Sequence, residues 1–216
     1  MPEVIFPGPE GRLEGRFHPQ KNDDAPIAII LHPQSNLGGT MNNRVVYNLH
    51  YAFLKMGFTC LRFNFRGVGR SQGEFDHGVG ELSDAAAALD YLQSQMPNAK
   101  SCWVAGFSFG AWIAMQLLMR RPEVTGFIAA APPANNHDFG FLAPCPSSGL
   151  LINGTADKIV PPEEVKNLAD KLKLQKGITI THEIIENANH FFEPGMDLMI
   201  SKVDSYVRQR MTEKSR

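Results

Sequence analysis

The chain has 216 residues, of which 43% are hydrophobic and 20% are charged, and its formal net charge at pH 7 is −1. This length suits one domain with a sizeable core, and we predict a single domain over residues 1–216. The near-neutral charge gives no electrostatic case for nucleic acid or an anionic membrane as partner. No apolar run is long enough to span a bilayer, and residues 1–11 lack the basic and apolar regions of a signal peptide.

The first half of the chain predicts strands followed by helices. Short strands over 3–6 and 12–17 flank a Pro- and Gly-rich joint, which predicts an antiparallel hairpin. The continuous apolar run 26–31 is typical of a strand that is covered on both faces. The next predicted elements are a helix over 42–56, a strand over 58–65 and a helix over 80–96.

Residues 100–121 predict a strand, a sharp turn and a buried helix. The apolar run 102–105 leads into Gly106-Phe107-Ser108-Phe109-Gly110, and an apolar helix pattern covers 111–119. By itself G-x-S-x-G often occurs by chance in an ordinary turn, but a strand before it and a helix after it are the context of a nucleophile elbow. The pattern therefore predicts Ser108 at the tip of a strained turn. The Phe109 N–H, at the helix start, would be free to bind an oxyanion.

The second half of the chain alternates strands and helices, which predicts a mainly parallel sheet with helices on both faces. Residues 132–148 leave room for a loop or one short helix, so we expect no cap domain and an open cleft. We expect loops 34–39, 69–78 and 135–142 to form its rim. The predicted elements are strands over 124–131, 149–153 and 178–185, and helices over 162–174 and 191–211.

A serine alcohol needs a base to take its proton and an acid to orient that base. Asp157 follows the strand 149–153, and His190 follows the strand 178–185, at the start of the last helix. Because parallel strands collect their following loops at one edge of the sheet, both side chains can reach Ser108. Two other interpretations remain open: Asp157 as a turn or helix-capping residue, and His190 as a residue packed beside Phe191.

Several other residues carry weaker signals. We interpret His32, before Pro33 at a strand end, as a structural residue that shapes the following loop. Arg66 could bind a carboxylate substrate, although an arginine that is solvated or paired with an aspartate is commoner. His182 alternates within a strand and predicts a solvent-facing or cross-strand position. No metal-ligand spacing or dinucleotide fingerprint occurs, so we predict no metal and no cofactor.

The three cysteines form no CxxC pair. Cys60 and Cys102 lie in apolar runs, which favours buried, reduced thiols; Cys145 leaves the count odd. We therefore expect a reducing compartment and a cytoplasmic location.

Five motifs together resemble the α/β-hydrolase superfamily, in particular the small lid-free group similar to dienelactone hydrolases and related serine esterases. GFSFG resembles the nucleophile elbow, GTADKIVP the acid loop and NANHFF the histidine loop of that superfamily. LHPQSNLGG resembles its oxyanion loop, and FNFRGVGRSQG resembles the strand and loop after its second parallel strand. The resemblance covers most of residues 26–192 in the expected order.

This resemblance implies a serine hydrolase that cleaves a carboxylic ester or thioester of a small molecule through an acyl-enzyme. Ser108, Asp157 and His190 would form the catalytic triad, and the backbone N–H groups of Phe109 and Gln34 the oxyanion hole. We expect a small-molecule ester as partner, with no nucleic acid and no membrane; the oligomeric state stays open. The alternatives are a peptidase or lactonase of the same fold, or a catalytically silent scaffold that binds a partner.

Overall fold

An eight-stranded sheet runs through the centre of the molecule. The computed structural model describes residues 2–214. Its strands are β1 (Glu3–Gly8), β2 (Gly11–His18), β3 (Ile27–Leu31), β4 (Thr59–Phe63), β5 (Cys102–Phe107), β6 (Val124–Ala130), β7 (Gly149–Gly154) and β8 (Ile180–Ile185). Its α-helices are α1 (Arg44–Lys55), α2 (Val79–Gln95), α3 (Phe109–Arg120), α4 (Pro162–Lys173) and α5 (Met196–Lys214).

The strands lie in the order β1-β2-β4-β3-β5-β6-β7-β8. The six strands from β4 to β8 in this order pair in parallel, whereas β1 and β2 form an antiparallel hairpin that adds to β4. The hairpin is tighter than its sequence suggested, because Gly8 pairs with Gly11 and only two residues turn the chain. The predicted α/β architecture with an N-terminal hairpin is confirmed.

The two faces of the sheet carry separate apolar cores. Helices α2, α3 and α4 cover one face, and α1 and α5 cover the other. Strand β3 explains why the apolar run over residues 26–31 has no polar residue. Ile27 and Ile29 pack in the core under α2, α3 and α4, whereas Ala28 and Ile30 pack in the core under α1 and α5. A strand that is buried on both faces has no polar position to alternate with.

The last helix begins later than the sequence suggested. We predicted it over 191–211, but α5 begins at Met196, and His190 therefore lies in a loop rather than at a helix start. The residue before a proline is disfavoured in the helical conformation, so Glu193 cannot readily continue into Pro194. Gly195 then adopts a φ of 120°, which is incompatible with a helix. The other elements match their predicted bounds to within two residues at each end.

Between β6 and β7 there is no cap domain. The chain forms only a short 3₁₀ turn there, at Gly140–Leu142. The carboxyl edge of the sheet is therefore open above these strands, as predicted. Among residues 2–214, no helix combines the length and the apolar composition that a membrane-spanning segment requires.

Arg66 is held in the fold by a buried ion pair. Its Nε and Nη2 donate to the two carboxylate oxygens of Asp84 in α2, at 3.0 and 2.8 Å. Both side chains are buried, and such bidentate pairing fixes geometry as well as charge. Of the two roles that the sequence left open for Arg66, the structure supports the aspartate pair over a contact with substrate.

The three cysteines are free thiols, and all of them are buried. Burial raises the pKa of Cys102 to about 12 and also raises the pKa values of Cys60 and Cys145. Thiols with such pKa values stay protonated near neutral pH and are poor nucleophiles. This outcome agrees with the expected buried, reduced thiols; the cytoplasmic location stays a prediction.

Two buried histidines make the stability of the fold depend on pH. His50 lies in α1, where its Nε2 is 3.0 Å from Nδ1 of His18, and His32 directly follows β3. Burial lowers the pKa of His50 to about 3 and that of His32 to about 4, from an ordinary value of 6.5. Unfolding returns both imidazoles to water. The unfolded chain therefore binds more protons than the folded chain at pH values between the lowered and the ordinary pKa.

We expect the free energy of unfolding to fall as the pH is lowered from about 6.5 to about 4, by about 1.4 kcal/mol per pH unit for each of the two histidines. The His50→Gln variant cannot take up one of these protons, so its stability should fall less steeply by that amount. Urea unfolding of both proteins across this pH range measures the two slopes. The comparison of slopes is independent of any stability that the variant loses at every pH, and equal slopes would contradict the assignment.

Candidate active site

Three loops at the carboxyl edge of the sheet bring together Ser108, Asp157 and His190. Ser108 follows β5, Asp157 follows β7 and His190 follows β8. Nε2 of His190 is 3.1 Å from Oγ of Ser108, and Nδ1 of His190 is 2.7 Å from Oδ2 of Asp157. Asp157 and His190 are each 5% exposed, and Ser108 is half-buried. The structure therefore joins the three sequence-predicted side chains in one line of hydrogen-bonding distances.

Ser108 lies in a turn of a single residue. Strand β5 ends at Phe107 and α3 begins at Phe109, so the chain reverses at Ser108, whose φ is 54° and ψ −122°. This conformation is rare for a residue with a Cβ and costs about 1–3 kcal/mol. It turns the hydroxyl away from the sheet and into a cavity.

Close packing around the elbow requires glycine on both sides of Ser108. A Cβ on Gly106 would lie 2.2 Å from the carbonyl oxygen of Gly110. A Cβ on Gly110 would lie 2.3 Å from the carbonyl oxygen of Leu31, at the end of β3. The first contact keeps the turn tight, and the second brings α3 against the neighbouring strand.

Asp157 has two structural tasks. Its Oδ1 accepts hydrogen bonds from the backbone N–H groups of Ile159 and Val160, at 2.8 and 2.9 Å. Its Oδ2 faces His190. Asp157 thus makes the contacts that both interpretations require, because the turn and His190 use different oxygens. Its catalytic role stays a prediction.

The two ring nitrogens of His190 have different partners. With a proton on Nδ1, the ring donates to the Asp157 carboxylate, and the lone pair on Nε2 faces the Ser108 hydroxyl. The ring also packs against Phe107 and Phe191, with centroids 5.0 and 5.4 Å away. The side chain of Asn189 shapes this loop, since its Oδ1 accepts from the N–H of Phe191 at 2.9 Å.

His32 fixes the loop that follows β3. Its Nε2 accepts from the backbone N–H of Phe65 at 3.0 Å, which places the ring proton on Nδ1, and Nδ1 donates to the Pro33 carbonyl at 2.6 Å. This geometry agrees with the interpretation of His32 as a structural residue. The Pro33 carbonyl and the Gln34 N–H belong to one planar peptide unit, in which they point in opposite directions. The bond from His32 therefore orients the Gln34 N–H.

The N-terminus of α3 supplies the other predicted donor. The carbonyl of Ser108 accepts from the N–H groups of Ala111 and Trp112, at 2.8 and 3.3 Å. The N–H of Phe109, the first residue of the helix, has no acceptor within the helix. Gln34 and Phe109 both line the cavity that contains Ser108. Their role as an oxyanion hole stays a prediction.

The cavity has a volume of about 310 Å³. The sequence analysis missed part of its wall, which includes Ile159, Val160 and Phe191. These residues lie within three positions after Asp157 or His190, so their nearness to a predicted site residue was the signal that could have found them. The residues that line the cavity are Pro33, Gln34, Leu37, Gly38, Gly39, Asn43, Phe107, Ser108, Phe109, Pro133, Asn136, His137, Ile159, Val160, His190 and Phe191.

The predicted rim over 69–78 is wrong, because no residue of that loop lines the cavity. The loop is bound to the N-terminal hairpin instead. The N–H of Arg70 donates to Oε2 of Glu14 at 2.7 Å, and the N–H of Gln72 donates to the Arg12 carbonyl at 2.9 Å. These bonds hold residues 70–72 over the hairpin. Phe75, later in the loop, packs on Phe109 with ring centroids 5.9 Å apart but does not line the cavity.

Two other histidines lie outside the line of contacts from Ser108 to Asp157. His137 lines the cavity, packs on Trp112 with ring centroids 4.3 Å apart, and has its pKa lowered by burial. Nε2 of His182 lies 2.7 Å from Oδ1 of Asn153 on the neighbouring strand, so the cross-strand position is confirmed. Within residues 2–214, no three His, Cys, Asp or Glu side chains come together as a metal site would require.

The chain resembles proteins of a known family. Residues 16–139, more than half of the chain, match the family model described as X-Pro dipeptidyl-peptidase (S15 family). A curated but uncharacterized protein of Rickettsia prowazekii, RP471, is 50% identical over 211 residues, which cover 96% of this chain and 89% of that protein.

Two solved structures resemble the chain along its length. A protein of unknown function from Agrobacterium tumefaciens, ATU1826, described as a candidate α/β hydrolase, is 63% identical with a TM-score of 0.95. The match covers 98% of this chain and 97% of that protein. XC6422 from Xanthomonas campestris, described as an α/β serine hydrolase without a lid, is 34% identical with a TM-score of 0.85, over 96% and 94% of the two chains. The chain therefore belongs to the α/β-hydrolase superfamily, in the family that the S15 model describes, and it shares the architecture without a lid.

Proposed function

We propose that this protein is a serine hydrolase that cleaves a carboxylic ester or thioester of a small molecule through an acyl-enzyme. The observation that carries the proposal is the line of contacts from Ser108 through His190 to Asp157, which opens into a cavity. An unassisted serine alcohol is a poor nucleophile near neutral pH. An adjacent imidazole that is oriented by a carboxylate supplies the base that the alcohol lacks.

In the first half of the reaction, Oγ of Ser108 attacks the carbonyl carbon while Nε2 of His190 takes the hydroxyl proton. The Asp157 carboxylate keeps the proton on Nδ1 and stabilises the imidazolium that forms. The negative charge that develops on the carbonyl oxygen is bound by the N–H groups of Phe109 and Gln34. His190 then donates its proton to the leaving alcohol or thiol, and the acyl group stays on Ser108.

In the second half, water takes the place of the alcohol. His190 accepts a proton from the water, which attacks the acyl carbon, and the same two N–H groups bind the second oxyanion. Collapse of this intermediate releases the carboxylic acid and returns the proton to Ser108. The open carboxyl edge of the sheet lets water reach the acyl-enzyme without movement of a cap domain.

A peptidase is the second candidate, because the matching family model carries that activity in its description. A dipeptidyl-peptidase must hold the free α-ammonium of its substrate, and an ammonium group is bound best by a carboxylate. Among the described residues that line the cavity, none is Asp or Glu. This favours an uncharged ester over a peptide with a free N-terminus.

A pair of substrates separates the two candidates. We expect a p-nitrophenyl ester to be hydrolysed with a higher kcat/KM than an Xaa-Pro p-nitroanilide. A higher kcat/KM for the anilide would contradict the proposed esterase and support the peptidase. Lactones tested in the same assay examine the alternative of a lactonase. If no substrate is turned over, the alternative of a catalytically silent scaffold is supported.

Ser108→Ala tests the nucleophile. We expect kcat on an activated ester to fall by a factor of about 10³ or more, because the acyl group loses its point of attachment. The thermal unfolding midpoint should stay within about 2 °C, since within residues 2–214 the side-chain hydrogen bond of Oγ is to His190 alone. Ser205→Ala, an exposed serine in α5, is the matched control and should keep full activity. Turnover that survives in Ser108→Ala would refute the assignment.

Gln34→Pro tests the predicted oxyanion donor. Gln34 has a φ of −54°, which proline adopts without strain, so this change removes the N–H at a position whose own φ proline matches. We expect kcat to fall by a factor of about 10² to 10³, the usual cost of one lost donor. The measurement is kcat on the same activated ester.

Gln34→Ala is the matched control for that change. It removes the side chain, whose Nε2 donates to Oδ1 of Asn36, but keeps the N–H. We expect kcat within about threefold of the unsubstituted protein, since a lost exposed hydrogen bond costs little. If both variants lost activity equally, the side chain rather than the N–H would be responsible, and the oxyanion role of Gln34 would be wrong.

A further inference from the structure

Three large apolar side chains are exposed at the mouth of the cavity. Leu37 is 80% exposed, Ile159 is 53% exposed and Phe191 is 43% exposed, and all three line the cavity that contains Ser108. We call these three residues the apolar rim. A single exposed leucine is ordinary on a protein surface. Several such side chains around one cleft indicate a binding surface for an apolar group.

The apolar rim contains a third of the large hydrophobic residues that are exposed on the described part of the molecule. Over residues 2–214, nine large hydrophobic residues are exposed, and three of the nine form the rim. The other six do not line this cavity. Exposed apolar area is therefore concentrated at the cavity that contains the nucleophile.

Local structure fixes each rim residue next to a residue of the proposed active site. Leu37 ends the 3₁₀ turn Ser35–Leu37, which begins immediately after Gln34. The N–H of Ile159 donates to the Asp157 carboxylate at 2.8 Å. Phe191 follows His190 in the chain, and its ring centroid is 5.4 Å from that of His190. Each rim residue therefore lies beside a residue of the proposed active site.

The lack of charged side chains around the cavity disfavours an ionic substrate. Among the described residues that line it, none is Asp, Glu, Lys or Arg. The polar side chains other than Ser108 and His190 are the amides of Gln34, Asn43 and Asn136 and the ring of His137. A charged group that enters such a site loses its hydration without gaining a partner of opposite charge.

We propose that the substrate is an uncharged ester with a linear apolar chain, and that this chain leaves the cavity across the apolar rim. This inference rests on the proposed function and names the substrate class of the same site. Ser108 holds the reacting carbonyl in the cavity. The chain gains free energy from each methylene that it buries against Leu37, Ile159 or Phe191.

Two series of esters test the proposal. One series is p-nitrophenyl acetate, butyrate, hexanoate and octanoate, and the other is the acetates of ethanol, butanol, hexanol and octanol. We expect kcat/KM to rise in at least one series by about twofold for each added methylene, the value for half-complete burial. An ester of octanoate size with a terminal carboxylate should react more slowly than octanoate itself.

Leu37→Ser tests the rim directly. We expect this change to lower by about fivefold the kcat/KM ratio of the eight-carbon to the two-carbon ester in the series that rises, since it removes part of the apolar surface that the longer chain contacts. Leu174→Ser is the matched control, because Leu174 is 84% exposed at the end of α4 and does not line the cavity. Leu174→Ser should leave both the ratio and the acetate rate unchanged.

Failure of this inference can be distinguished from failure of the proposed function. If esters are hydrolysed but neither series rises, or if Leu37→Ser leaves the ratio unchanged, the inference is wrong while the hydrolase stands. If no ester is hydrolysed, the proposed function fails, and calorimetric binding of methyl octanoate and methyl acetate to Ser108→Ala then decides the inference. Tighter binding of the octanoate supports the rim, and equal binding contradicts it.

Discussion

The backbone of Ser108 is the constraint on which the site depends. A φ of 54° at a residue with a side chain is unfavourable, and it persists because the surrounding packing leaves no alternative. Gly106 and Gly110 permit that packing, since a Cβ on either would overlap the neighbouring backbone. The same turn points the hydroxyl into the cavity and presents the Phe109 N–H at the helix terminus. One strained residue thus positions both the proposed nucleophile and one of the two proposed oxyanion donors.

The other groups of the site reach Ser108 from strands that are distant in sequence but adjacent in the sheet. Parallel pairing of β3, β5, β6, β7 and β8 puts their carboxyl ends at one edge. Three of the loops there, after β3, β7 and β8, are stiffened by a side chain that bonds its own backbone: His32, Asp157 and Asn189. In a preorganised site of this kind, the polar groups reorient little during a reaction.

Much of this arrangement could be predicted from the sequence. Apolar runs such as 26–31 located the buried strands, and the elbow pattern between a strand and a helix located Ser108. The predicted start of α5 was wrong because the apolar pattern continues past His190. Pro194 and Gly195 delay the start of the helix to Met196. Local backbone chemistry overrode periodicity at that point.

Contacts between distant segments could not be predicted in the same way. The loop 69–78 was expected at the rim, but it bonds to Arg12 and Glu14 in the hairpin, and no local pattern reveals those partners. The apolar rim also depends on the fold, since Leu37, Ile159 and Phe191 come from three loops that meet only in the folded chain. Periodicity locates elements, whereas the cavity wall follows from how the elements are joined.

The most direct test of the account is covalent labelling with a fluorophosphonate, which reacts with a serine only where a base and an oxyanion hole activate it. Peptide mapping by mass spectrometry after treatment of the folded protein should place a single phosphonyl group on Ser108, and unfolding before treatment should abolish the labelling. A folded protein that takes up no label, or takes it up on another serine, would contradict the claim that this turn creates a reactive alcohol.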